Sequence, residues 1–310
     1  MITTQNTEEI RDGYRWVKQD CPVCNVPPTK FIGVRGGDAH REGTGVKCEI
    51  WGCEQCDLIF PNLMPVPVGG ASQHYEADAE HFFDLHDREE VEDENAKTLL
   101  DKAEELLGGK GKLLDIGTGR GETVRRAKLE GWDVIGVEPT ASFAGISEKK
   151  SGVEIRREVV EKCGFPDEEF DVILLEAVLE HLYNPDEVVA EISRILKPGG
   201  LFYFDIPNEK GLFFKVGNTY QKFKGRDWCV NLSPTFPPFH LFGFSPKSIR
   251  MLLKKHGLEV KMWHVYGGES FLPSRGGIVG KLEGEASKVI TAISNLGDLG
   301  SYIQAWAVKK

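Results

Sequence analysis

The most constraining stretch of this chain is KLLDIGTGRGETVRRAKLEGWDVIGVE, residues 112–138, in which an apolar run is broken by glycines. Lys112–Ile116 reads as a buried strand, Glu122–Glu130 as a helix and Asp133–Val137 as a second strand. Between them, Asp115-Ile-Gly117-Thr118-Gly119-Arg-Gly121 can turn tightly, because glycine takes positive φ and lets a backbone approach a ligand closely. Strands separated by helices of this length imply right-handed crossovers and a mostly parallel sheet. In such open sheets the ligand sits beyond the carboxyl ends of the strands, where this turn falls.

The alternation continues downstream. Phe170–Leu175 is an apolar strand, Pro185–Leu196 a helix, and Pro198-Gly199-Gly200 a turn into the strand Leu201–Ile206. Ser245–His256 reads as a helix with Ser245 as N-cap and Pro246 in the first helical position. Leu258–Val265 and Tyr302–Val308 look like strands, joined by a helical stretch near Glu285–Leu296. Upstream, Asp87–Leu107 has a helical pattern that Gly108-Gly109 stops. The expected fold is α/β, Rossmann-like and doubly wound, with a mostly parallel seven-stranded sheet over residues 88–310. Residues 207–242, aromatic and glycine-rich, break the rhythm and read as a substrate-side insertion.

The spacing in the glycine turn discriminates between ligands. A dinucleotide fingerprint is G-x-G-x-x-G, with the helix N-terminus facing a pyrophosphate. Here it is G-x-G-x-G, and Glu122 stands where the third glycine would be. A carboxylate there repels a pyrophosphate. S-adenosylmethionine has no phosphate and carries an ammonium and a sulfonium, which suit Asp115 and Glu122. Glu138, ending the second strand, is placed to accept hydrogen bonds from both ribose hydroxyls.

Residues 1–68 differ in composition and read as a small, zinc-ribbon-like metal-binding domain. Cys21-x-x-Cys24 and Cys53-x-x-Cys56 can turn four thiolates toward one ion, a closed tetrahedral set that suggests structural zinc. Rubredoxin-type iron, or a redox dithiol in one pair, are the alternatives. Cys48, Cys163 and Cys229 read as partly buried free thiols. Pro61, Pro65, Pro67 and Gly69-Gly70 then mark a linker, with residues 69–87 as a linker or lid segment. Seven cysteines in 310 residues do not look like a disulfide framework, so a reducing, cytoplasmic setting is expected. The N-terminus lacks the pattern of a signal peptide, and no apolar run approaches the roughly 20 residues that span a bilayer. A net charge of −10 argues against broad contact with nucleic acid.

Four motifs in this order, DIGTGRGE, VIGVEP, FPDEEFDVILLEAVLEHL and LKPGGLFYFDIPN, resemble the class I S-adenosylmethionine-dependent methyltransferases over residues of about 90–310. The resemblance implies Gly117, Thr118 and Gly119 at the methionine moiety, Asp115 near its ammonium and Glu138 on the ribose. Many relatives carry Gly-Asp-Ala before FPDE, with the Asp on adenine. Here Glu158-Val159-Val160 stands there, leaving the backbone of Val160, or Glu161, for that contact. IWGCEQCDLIFPNLMP with Tyr75 resembles the zinc-headed subgroup, many of which act on sugars, nucleotide-linked sugars or glycans.

Methyl transfer needs an aligned nucleophile and often a base. Glu180-His181 follows the strand that ends near Glu176, and histidine, with its ordinary pKa of about 6.5, suits that work. The same pair also reads as a packing and capping motif. Glu176 is placed to face the sulfonium. Tyr75, in the segment that closes over the active site in relatives, and His240, in a Pro-x-His-Leu-like rim element, would shape the pocket. His74, His81 and His86 are too irregularly spaced to argue for a second metal. Lys224, Arg226 and Trp228 would suit a phosphate and a sugar face. The expectation is a methyltransferase for a hydroxylated, sugar-like small molecule, with oxygen ahead of carbon as acceptor. A zinc-headed RNA methyltransferase and a catalytically silent cofactor-binding scaffold are the alternatives, and membrane insertion is not expected.

Overall fold

The computed structural model describes residues 7–70, 89–267, 285, 293 and 297–310. Its centre is a seven-stranded sheet in the order β12-β13-β11-β10-β7-β8-β9. These strands are β7 (Lys112–Ile116), β8 (Asp133–Val137), β9 (Ile155–Arg156), β10 (Phe170–Glu176), β11 (Leu196–Pro207), β12 (Leu258–Tyr266) and β13 (Tyr302–Lys309). All pairings are parallel except those of β13, which runs antiparallel to both β11 and β12. The doubly wound reading of the sequence therefore holds.

Helices cover both faces. On one, α1 (Glu89–Leu107) and α2 (Glu122–Glu130) bury Leu99, Leu100, Ala103 and Ala127 against Leu113, Val172 and Leu174. On the other, α4 (Pro185–Ile195) and α6 (Pro246–Lys255) bury Val189, Ile192, Ile249 and Leu252 against Ile173, Phe202 and Phe204. α3 (Ala141–Ser151) links β8 to β9. Ser245 caps α6 as its sequence predicts, in a reciprocal bond with Ser248.

The N-terminal part forms two small antiparallel sheets. One orders β1 (Thr7–Arg11), β2 (Tyr14–Val17) and β6 (Met64–Pro67); the other orders β3 (Lys30–Arg35), β4 (Cys48–Gly52) and β5 (Ile59–Pro61). Met64–Pro67 is thus a buried strand, correcting its reading as linker. Its prolines are tolerated because β6 is an edge strand that pairs only with β2. A second correction concerns Pro198-Gly199-Gly200. It does not precede a strand but lies inside β11, where the register against β10 slips between Phe170 and Val172, a bulge. A third is α5 (Leu212–Phe223), a helix inside the segment that shows no helical rhythm in sequence.

Segment 227–243 is knitted to the N-terminal sheets. Val34 N donates to Asp227 O at 2.7 Å, Cys229 N to Val34 O at 3.1 Å, and Gly243 N to Ile59 O at 2.8 Å. Cys21, Cys53 and Cys56 lie in the same apolar cluster as Phe204 and Leu252. The cysteine-bearing part therefore packs on the face carrying α6, and Ser245 Oγ donates to Cys56 O at 3.3 Å. Among the described residues, no helix is long and apolar enough to cross a membrane.

Candidate active site

The glycine turn sits at the carboxyl edge of the sheet. Gly117 has φ +79°, its amide donates to Val137 O at 2.8 Å, and a Cβ there would strike the Val178 side chain. Gly119, at φ +51°, has open space where a side chain would stand. Thr118 is buried, and its Oγ1 has no hydrogen-bond partner among the described residues. The loop thus presents an open face with an unsatisfied hydroxyl.

Carboxylates ring this face. Asp115, 3% exposed, is in β7; Glu138, 6% exposed, follows β8; Glu176 ends β10. Glu138 Oε1 accepts from Thr140 N at 2.8 Å, and Glu176 Oε1 accepts from Thr123 Oγ1 at 3.1 Å. Burial pushes the Asp115 carboxyl well up, with Glu176, Glu138 and Glu122 adding to it. Burial also raises Glu138 and takes Glu176 up to about 7. A cationic ligand relieves such a cluster, and a pyrophosphate would aggravate it. The residues fit S-adenosylmethionine. Glu122 is the exception to the charge reading, since Lys150 Nζ lies 3.7 Å from its carboxylate. Val160 lies in a 3-10 turn after β9 with its side chain buried in the core.

A second group lies next to the loop. Past Glu176 the chain enters the 3-10 turn Leu179–His181, in which Glu180 is 2% exposed. The Glu180 carbonyl accepts the amides of Leu241 (2.8 Å) and Phe242 (3.1 Å), which draws the insertion across it. Glu180 Oε1 then lies 3.9 Å from His181 Nε2 and 3.8 Å from His240 Nε2. The two imidazoles meet edge to face with centroids 4.8 Å apart. His181 Nδ1 is 3.3 Å from Phe239 O. Burial pushes Glu180 up to about 8 and His181 down to about 4, and it holds His240 well below its ordinary value. Both imidazoles are therefore neutral near pH 7. Tyr75, His74, His81 and His86 lie outside the described residues.

Sequence reasoning missed Asp205. It is the β11 register partner of Glu176, and its Oδ2 accepts from Tyr266 Oη and Gln304 Nε2, both at 3.2 Å. Its Oδ1 has no partner among the described residues, and burial pushes the group up to about 6. The available signal was an acid at the carboxyl end of the apolar run LFYFD. Tyr266 stacks on Tyr302 beside it, centroids 5.4 Å apart.

The four cysteines named from spacing do converge. Their sulfurs lie within 4.8 Å of one another, Cys21 Sγ and Cys56 Sγ 3.5 Å apart, and none is in a disulfide. A tetrahedral site with Zn–S bonds of about 2.3 Å places sulfurs about 3.8 Å apart, so the set fits a zinc ion. The basic residues behave differently. Arg157 pairs with Glu148 at 2.6 Å, Arg156 with Glu154 at 3.4 Å, and Arg226 stacks on Trp228 at 4.5 Å.

The chain belongs to the methyltransferase domain family, whose model matches residues 85–261, more than half of its length. It is 34% identical over 107 residues to an uncharacterized protein of Methanocaldococcus jannaschii, covering 34% of this chain and 50% of that one. It is 28% identical over 163 residues to a ubiquinone biosynthesis O-methyltransferase of Pseudomonas syringae, covering 50% and 67%. The matches thus span 50% to 67% of these relatives' own lengths. A solved Bacillus halodurans protein assigned to the methyltransferases superposes with TM-score 0.50 at 18% identity, over 70% of this chain and 99% of that one. That likeness concerns the fold.

Proposed function

We propose that the chain transfers a methyl group to an oxygen of a hydroxylated small molecule, of the sugar, nucleotide-sugar or glycan class. The observation that carries this reading is the convergence of Glu180, His181 and His240 next to Val178, the residue that Gly117 abuts. An acceptor oxygen held between this cluster and the cofactor loop would be within reach of both. Relatives named as O-methyltransferases support oxygen as the acceptor atom.

Asp115, Thr118, Gly119 and Glu138 would hold S-adenosylmethionine, with Val160 at the adenine end and Glu176 toward the sulfonium. The bound cofactor supplies an electrophilic methyl carbon. His181, with Glu180 beside it, draws the proton from the acceptor hydroxyl, its imidazole being in the unprotonated form that can accept one. His240 would shape the pocket beside it. Cys21, Cys24, Cys53 and Cys56 would hold a zinc ion, which would stiffen the part of the chain that braces the insertion carrying His240. The net charge of −10 favours a small acceptor over RNA. Incubation with isotope-labelled S-adenosylmethionine and separate panels of nucleotide-sugars, free sugars and total RNA tests the reading. Label on a sugar hydroxyl is expected, and label confined to RNA overturns it.

A further inference from the structure

We propose that Glu180, His181 and His240 together hold a divalent transition-metal cation in the acceptor pocket. Two imidazoles and one carboxylate form a donor set that first-row divalent ions favour, and three protein ligands leave positions open for an exchangeable one. The ligand atoms already lie within 4.8 Å of one another. Metal bonds of about 2.0–2.2 Å place tetrahedral ligand atoms about 3.4 Å apart. Glu180 Oε1 is at 3.9 and 3.8 Å from the two Nε2 atoms, so closure onto an ion needs only a small side-chain shift.

Three further observations agree. His181 Nδ1 faces the Phe239 carbonyl at 3.3 Å, and an N–H donated there directs the Nε2 lone pair toward Glu180. That second hydrogen bond is how metal-bound imidazoles are oriented. Glu180 is 2% exposed, and its Oε2 has no hydrogen-bond partner among the described residues. A carboxyl so enclosed ionises only with a cation beside it. The backbone bonds from Leu241 and Phe242 to Glu180 O hold His240 in place by main chain, which preorganises the set.

The inference rests on the acceptor site proposed above and names what would occupy it. An acceptor hydroxyl filling an open position would be acidified by the ion, as metal-bound water is. With the ion bound, His181 is a ligand in place of the base, and the acidified hydroxyl gives its proton to solvent water. It differs in kind from the four-cysteine set, which is closed and all sulfur.

Cobalt(II) titration of the metal-depleted full chain, followed by absorption, tests it. Two equivalents are expected. One brings sulfur-to-cobalt charge transfer, and the other adds ligand-field bands alone. Glu180→Gln and His240→Ala should each abolish the second equivalent and keep the first, whose retained band reports an intact fold. A single equivalent in the unaltered chain, or a second that survives both variants, overturns the proposal. The readout involves no methyl transfer. A chain that takes one equivalent yet methylates a hydroxylated acceptor overturns the cation alone; one that takes two yet methylates no such acceptor overturns the acceptor reading alone.

Discussion

The carbonyl of Glu180 accepts the amide of Leu241 at 2.8 Å, and this bond sets His240 against Glu180. The turn after β10 and the insertion after β11 are separate in sequence, yet they build one cluster at the mouth of the sheet. The proposed acceptor site depends on that junction.

Glu138→Ala should weaken S-adenosylmethionine binding about 10–100-fold, the worth of one or two hydrogen bonds to a charged group. Calorimetry on the folded variant checks this. Unchanged affinity would remove Glu138 from the ribose site.

Gly117→Ala should destabilise the chain by about 1–3 kcal/mol, because its φ of +79° disfavours a side chain and the new Cβ meets Val178. Adding Val178→Ala should recover part of the loss by relieving the contact while the backbone strain stays. Thermal denaturation of the single and double variants separates the two contributions.

Cys53→Ser should cost one bound zinc per chain and at least about 2 kcal/mol, since the remaining buried thiols lose their common ligand. For a chain of 310 residues that lowers Tm by about 3 °C or more. Elemental analysis beside the melting curve checks both. A variant that keeps its metal would dismiss the four-cysteine assignment.

Glu209 links stability to pH. It is 5% exposed, its carboxylate accepts from Asn231 Nδ2 at 2.5 Å, and the Leu232 amide and Arg35 face it. Burial outweighs these partners and pushes it from 4.5 up to about 7. The folded chain therefore keeps a proton that the unfolded chain releases between pH 4.5 and 7. Its contribution is full below 4.5 and falls as pH rises through that window, by about 3 kcal/mol. Glu209→Gln should reduce the slope of stability against pH by one proton there, read from denaturant melts across the range.

What was legible in the sequence divides by range of interaction. The glycine turn and β7, α2 and β8 could be read directly, because each depends on local periodicity and on backbone only glycine adopts. Cys21, Cys24, Cys53 and Cys56 were legible as a set because two knuckles of one spacing point to one ion. Their burial against Phe204 and Leu252 was not, since it depends on tertiary packing. α5 escaped because Gly217 and its aromatic neighbours obscure the helical pattern, and the helix buries none of its residues. The bulge in β11 escaped because Pro-Gly-Gly reads locally as a turn. His240 was identifiable as a rim residue, yet its partnership with Glu180 is a long-range contact that no local pattern encodes. Asp205 lay in plain view at a strand end, but its partners Tyr266 and Gln304 come from strands that only the sheet order brings alongside.

The most direct test of the central claim is single-turnover transfer of an isotope-labelled methyl group to a nucleotide-sugar panel, comparing the unaltered chain with His181→Ala and His240→Ala. Label is expected on an acceptor oxygen, at least about 100-fold slower in His181→Ala and slower in His240→Ala, with S-adenosylmethionine affinity unchanged in both. Transfer at the unaltered rate in either variant would contradict it.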